Sequence, residues 1–161
     1  ARSALARSLA RELGFDLVGV ASAEPPRELA AFAPWVAAGH AGEMAYLSGQ
    51  VEKRSDARAA FPWARSLVCV GLQYDTPDAY STEAPPERGW ISRYAWGDDY
   101  HDVLKALLER LVERLTERVG PFRARAYADT GPIVERAYAA AADAAVGINS
   151  GASVALCAKA R

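Results

Sequence analysis

Ser66-Leu67-Val68-Cys69-Val70-Gly71-Leu72-Gln73-Tyr74 is the strongest strand in the chain, and its continuous apolar run predicts burial on both faces. Upstream, Ala4 to Gly14 reads as a short helix ended by glycine, followed by a strand at Phe15-Asp16-Leu17-Val18-Gly19-Val20-Ala21. Pro25-Pro26 breaks the chain, and Arg27 to Ala38 reads as a helix with Leu29, Phe32 and Val36 on one side and Pro34 set against it. Glu43 to Leu47 and Glu52 to Ala60 are further helical pieces. Downstream, Asp75 to Gly89 carries Pro77, Pro85 and Pro86 and reads as a surface loop. Phe122 to Ala128 alternates as a half-exposed strand, and a helix with Pro132 at its first position runs to about Ala142. Helices and strands interleave, so the class is α+β, an α/β-type sandwich of a sheet with flanking helices.

The 161 residues suit one domain, since a chain of this size buries roughly 70% of its unfolded surface. At 51% hydrophobic and 24% charged the chain is globular, and a net charge of −1 provides no global attraction to nucleic acid. No stretch approaches the roughly 18 apolar residues of a membrane span, and Ala1–Ala10 lacks the apolar core of a secretory signal, so the expected home is the cytoplasm. Cys69 and Cys157 lie far apart without a CxxC motif. Cys69 reads as a buried thiol, and no metal site is expected on this chain.

Arg93-Tyr94-Ala95-Trp96-Gly97-Asp98-Asp99-Tyr100-His101 opens into an amphipathic helix with Leu104, Leu107, Leu108, Leu111, Leu115 and Val119 on one stripe. Asp98 and Asp99 stand where a carboxylate caps the first turn, and Gly120-Pro121 ends the element. A core helix needs the cap and the stripe but not an arginine, two tyrosines, a tryptophan and a histidine ahead of them. That surplus makes Arg93, Tyr94, Gly97, Asp98, Tyr100 and His101 candidate ligand residues. The Glu109, Arg110, Glu113, Arg114, Glu117, Arg118 series reads as a solvated face.

Asp129-Thr130-Gly131-Pro132-Ile133-Val134-Glu135-Arg136 is a strand-to-helix junction carrying a carboxylate. Asp129 either caps the following helix or faces a cleft at the strand's end, where it could donate a proton. Glu135 and Arg136 read as surface or inter-element ion pairs. His40 reads as a loop anchor with a lesser claim to function. There is no GxGxxG, P-loop, HExxH or GxSxG motif.

Five segments occur in order: Phe15–Ala21, Gly42–Leu47, Lys53–Arg58, Ile91–His101 and Asp129–Arg136. Together they resemble the N-terminal half of epoxyqueuosine reductase over about residues 4–142. The resemblance implies a cobalamin-binding domain, residues 1–146, related in fold to flavin nitroreductases and the cobalamin-processing chaperone. It implies reduction of the epoxide of epoxyqueuosine in tRNA to queuosine, the last step of queuosine synthesis. In the family, electrons pass from 4Fe–4S clusters to cobalamin, and the aspartate matched by Asp129 is the proton donor. Thr130 falls within the same matched motif and joins the cofactor-binding set.

The pattern departs at Ala145-Val146-Gly147-Ile148-Asn149-Ser150, where the family carries a Gly-Trp-Ile-Gly-Lys-type segment. Residues 147–161 read as an atypical tail, and the cysteine-rich ferredoxin-like and helical-repeat parts are absent from the sequence. The expectation is a fragment, a truncated product or a stand-alone relative, with an unknown electron donor. Two alternatives stand beside the enzyme: a corrinoid or tetrapyrrole carrier without catalysis, and a flavin-binding reductase. Two distant cysteines cannot supply the thiolates of a 4Fe–4S cluster. Anaerobic reconstitution of this chain should therefore give background iron and sulfide, and a stoichiometric cluster would refute the expectation.

Overall fold

The computed structural model describes residues 2–74 and 76–142, and the backbone alone of residues 152–159. The departure at Ala145–Ser150 lies outside the described residues. β2 spans Ser66–Leu72 and is buried on both faces, as its apolar run predicts. The two-residue period of a strand divides its side chains between two cores. Val68 and Val70 pack with Leu9, Phe15, Leu104, Leu108 and Leu111. Leu67 and Cys69 pack on the opposite face with Leu29, Ala57, Ile133 and Tyr138.

β1, Leu17–Ser22, pairs antiparallel with β2 in the register Val18↔Val70 and Val20↔Val68. Asp16 extends this pairing, accepting the Gln73 N–H at 2.7 Å while its own N–H donates to the Gly71 carbonyl at 3.0 Å. β4, Ala152–Lys159, lies on the other side of β2, and β3, Arg123–Ala128, follows it at the edge. The order is β1-β2-β4-β3, antiparallel throughout. The fold is α+β.

One face of the sheet carries α1, Arg2–Glu12, and α6, Tyr100–Val119. Leu104, Leu108, Leu111 and Leu115 of α6 are buried, so the predicted stripe is the packed one. Gly120 ends α6 at φ +81°, a left-handed conformation that favours glycine. The other face carries α7, Glu135–Ala141, together with the short helices before β2.

Three element boundaries differ from the sequence expectation. Arg27–Ala38 divides into a 3-10 turn, Arg27–Ala31, and α2, Phe32–Ala37. The division places Pro34 in the first turn of α2, where a missing N–H costs no intrahelical bond. After α3, Ala45–Ser48, the expected helix 52–60 divides into α4, Val51–Ser55, and α5, Ala57–Ala60. Asp56 is extended between them and caps α5 by accepting the Arg58 N–H at 2.8 Å. The Arg58 guanidinium also binds the Asp56 carboxyl and holds it below the usual carboxylate range. The last helix begins at Glu135, so Pro132 lies in the preceding turn and does not start it.

A buried bond ties α7 to α5. The Ala57 N–H donates at 3.0 Å to the hydroxyl of Tyr138, a side chain with no exposed surface. Tyr138→Phe keeps the ring and removes the acceptor, leaving a buried donor unpaired. It should cost about 1–3 kcal/mol in denaturant unfolding, with the slope unchanged.

Candidate functional site

Asp129 follows directly on β3 and is the one described non-glycine residue in the left-handed region, at φ +57°. A three-residue turn closes over it, with the Thr130 N–H donating to the Ala128 carbonyl at 2.6 Å. Strain of this kind on a residue other than glycine costs of order 1 kcal/mol and concentrates at functional sites. The turn is fixed from below by Gly131, where an added Cβ would lie 2.8 Å from Cγ of the Tyr127 ring. No larger residue fits there without moving β3.

Asp129 is not a helix cap. α7 begins six positions later with Val134 at its N-cap and no side-chain capping bond. The Asp129 carboxylate instead accepts the hydroxyl of Tyr100 at 2.6 Å. That bond, then burial, pushes the Tyr100 hydroxyl up to about 12, so it remains a donor at neutral pH.

Tyr100 is the first residue of α6, and the loop ahead of it builds the rest of the site. Asp99 caps α6 by accepting the His101 N–H at 2.9 Å, and His101 Nδ1 lies 2.9 Å from the same oxygen. Both contacts, the backbone one first, hold the Asp99 carboxyl below its usual range. The His101 ring stacks on Tyr100 with centroids 4.0 Å apart. Tyr94 meets Tyr100 edge-on at 5.9 Å, and Tyr74 meets Tyr94 at 6.3 Å. A run of rings therefore leads from the end of β2 to the Asp129 carboxylate. Tyr94 is exposed within it, and Gly97 turns the chain at φ +87°. Asp98 and Thr130 are exposed at its rim.

Arg93 occupies a different position from the other candidates. Its guanidinium donates to the Thr76 carbonyl, to Thr76 Oγ1 at 3.0 Å, and to the Asp78 and Ala79 carbonyls at 2.6 and 3.1 Å. It also lies over the rings of Tyr80 and Trp96, at 4.7 and 5.5 Å. Arg93 thus anchors the proline-bearing loop against the site. His40 packs 6.0 Å from Trp35, consistent with a loop anchor.

His101 and Thr130 face an open groove of about 780 Å³ between α6 and β3, floored by Leu108, Val112 and Ala126. Among the described residues no group of three or more His, Cys, Asp or Glu side chains could hold a metal ion. No described helix is long and apolar enough to cross a membrane.

The sequence reading of Glu135 needs correction. It is not a surface ion-pair partner: its Oε1 is buried and unpartnered, as are Arg54 Nε and Ser55 Oγ. The Tyr138 clamp turns this face of α7 inward, a contact that no local pattern signals. Burial pushes the Glu135 carboxyl up to about 7, with Asp129's charge adding to the rise and Arg54 opposing it. The folded chain therefore keeps a proton that an unfolded glutamate releases near 4.5. On this account stability falls as pH rises between those values and levels off above them. Glu135→Gln removes that loss. The mutant should gain about 2 kcal/mol over the parent between pH 5 and pH 8, read as a difference in thermal unfolding.

A family model described as "Epoxyqueuosine reductase QueG, DUF1730" matches residues 54–130. An epoxyqueuosine reductase from Gloeobacter violaceus is 42% identical over 138 residues, covering 84% of this chain and 42% of that protein. The Bacillus subtilis epoxyqueuosine reductase, solved with a catalytic aspartate loop swung out of the active site, superposes with a TM-score of 0.71 at 24% identity. That match covers 99% of this chain and 46% of the other. An epoxyqueuosine reductase bound to an epoxyqueuosine-modified tRNA-Tyr stem loop gives a TM-score of 0.66 at 27% identity, over 97% of this chain and 46% of that one. The chain spans less than half the length of these relatives. With five ordered motifs, the shared fold and this identity, the chain belongs to the epoxyqueuosine reductase family.

Proposed function

We propose that the chain is the cobalamin-binding domain of an epoxyqueuosine reductase, an oxidoreductase that converts epoxyqueuosine in tRNA to queuosine, with Asp129 as proton donor. The observation that carries this reading is the Asp129 carboxylate, held in left-handed backbone at the end of β3 under the Tyr100 hydroxyl. Family membership supports the reaction, and the tRNA-bound relative supports the substrate.

The residues present fit a corrin. Tyr94 exposes its ring beside Tyr100, and Ile91 and Trp96 of the same loop are exposed apolar side chains, as a broad, flat macrocycle requires. Tyr94, Gly97, Asp98, Tyr100, His101 and Thr130 would hold it, and Arg93 would act by fixing the loop wall. Bound there, the corrin supplies electrons from low-valent cobalt, delivered in the full-length family by 4Fe–4S clusters that this chain does not ligate.

The protein's own share is one proton and its placement. Asp129 gives a proton to the oxygen that leaves carbon as the epoxide opens, which neutralises the developing alkoxide. Tyr100, protonated throughout, donates to the carboxylate that remains. The orienting bond thus persists in both charge states of Asp129. The setting proposed is cytoplasmic, where tRNA is modified.

Hydroxocobalamin, haem and flavin mononucleotide, added separately, distinguish this reading from a tetrapyrrole carrier and a flavoprotein. Cobalamin alone should shift its visible spectrum, and Tyr100→Ala should weaken that binding about tenfold, or ~1.4 kcal/mol. A flavin or haem spectrum without a cobalamin one would overturn the proposal. In a full-length family member carrying this domain, Asp129→Asn should keep cobalamin and lose about 10²–10⁴ in turnover. Full turnover would remove Asp129 from the chemistry.

A further inference from the structure

Strand alternation turns Ala124, Ala126 and Ala128 of β3 toward the α6 layer and leaves Arg123, Arg125 and Tyr127 on the opposite face. Arg123 lies over the Trp63 ring at 4.7 Å. Arg125 lies over the Tyr127 ring at 5.6 Å, and its Nε donates to the Tyr127 hydroxyl at 3.3 Å. Phe61 joins the two rings, its centroid 5.8 Å from that of Trp63 and 5.7 Å from that of Tyr127. The three rings are half-buried against the α7 core, while both arginines are exposed. Among the described residues neither arginine has an acidic partner within ion-pair distance.

β3 is an edge strand, and charge on an edge discourages pairing with a foreign sheet. Any solvated charge meets that need, with no ring beneath it. A guanidinium held over a ring is partly fixed in advance, so it loses less freedom on meeting an anionic or planar group. Arg123 and Arg125 stand two residues apart on one face, about 7 Å, which is of the order of the step between neighbouring phosphates of a single strand. The row also leads to the Asp129 turn. A Cβ added at Gly131 of that turn would strike the Tyr127 ring, and Arg123 lies about 20 Å behind Asp129 along the strand. With a net charge of −1 the chain has no global pull on nucleic acid, so a local row of this kind is what can hold a phosphate backbone.

We infer that the row formed by Arg123, Trp63, Phe61, Arg125 and Tyr127 is a binding face for the RNA strand that flanks the reacting nucleotide, with the two arginines on its phosphates. The inference rests on the reading of the chain as a domain that acts on tRNA. Contacts to the backbone position the strand and read no sequence, while the guanidinium planes offer flanking bases a stacking surface.

The test is the affinity of a full-length family member carrying this domain for a labelled RNA stem loop, read by fluorescence anisotropy over a range of salt, with no electron donor present. Arg123→Gln combined with Arg125→Gln should weaken binding equally for two stem loops of different loop sequence. It should also lower the slope of log affinity against log salt by about 0.7 per arginine. Arg123→Lys combined with Arg125→Lys keeps the charges and should keep the slope. Each arginine is also replaced alone, so one folded variant suffices. An unmoved affinity and slope in the glutamine variants overturns the inference, as does a loss confined to one loop sequence. Polyglutamate displacing the labelled RNA better than unlabelled RNA does would assign the face to an acidic protein and overturn it too. A failed cobalamin titration or full turnover by Asp129→Asn would refute the proposed function and leave this result standing. An unmoved slope would refute the face and leave that function standing.

Discussion

Burial of β2 on both faces is the constraint from which the rest of the molecule follows. Val68 and Val70 require an apolar layer on one side, and Leu67 and Cys69 require another on the opposite side. α1 and α6 meet the first demand, and α7 with the short helices before β2 meets the second. Once α6 lies along the sheet by its leucine stripe, its N-terminus, and with it Tyr100, is brought beside the end of β3. Asp129 is the next residue after β3. The contact between Tyr100 and Asp129 is thus a product of core packing between residues 29 positions apart.

The parts of the fold that were legible in the sequence are those set by local physics. The apolar run of β2, the stripe and cap of α6 and the glycine after it each announce themselves within one element. The boundaries that shifted are those where a cap or a tertiary bond overrules a propensity. Asp56 interrupts what reads as a continuous helix because its side chain satisfies the Arg58 N–H. Pro132 reads as a helix start, yet the turn over Asp129 and the buried Ile133 delay α7 to Glu135.

The candidate site was legible as a set of residues but not as an arrangement. Tyr94, Tyr100, His101 and Asp129 were each conspicuous for being unnecessary to a core, and the structure joins them through ring contacts and one short hydrogen bond. Glu135 was misread because its burial depends on Tyr138 meeting Ala57 across 81 positions of sequence. Tyr74 was passed over as the end of a strand, and only its contact with Tyr94 ties it to the site. Arg93 drew attention for its charge, which is directed at its own loop.

That use of Arg93 fixes the loop wall of the site from within the chain. A guanidinium stays charged at any pH a cell meets, and its planar fork can address several carbonyls at once while its faces lie on Tyr80 and Trp96. A lysine, with one compact ammonium group, could not reproduce these contacts. A ligand approaching this face therefore meets a wall whose shape is set before it arrives by the chain's own arginine.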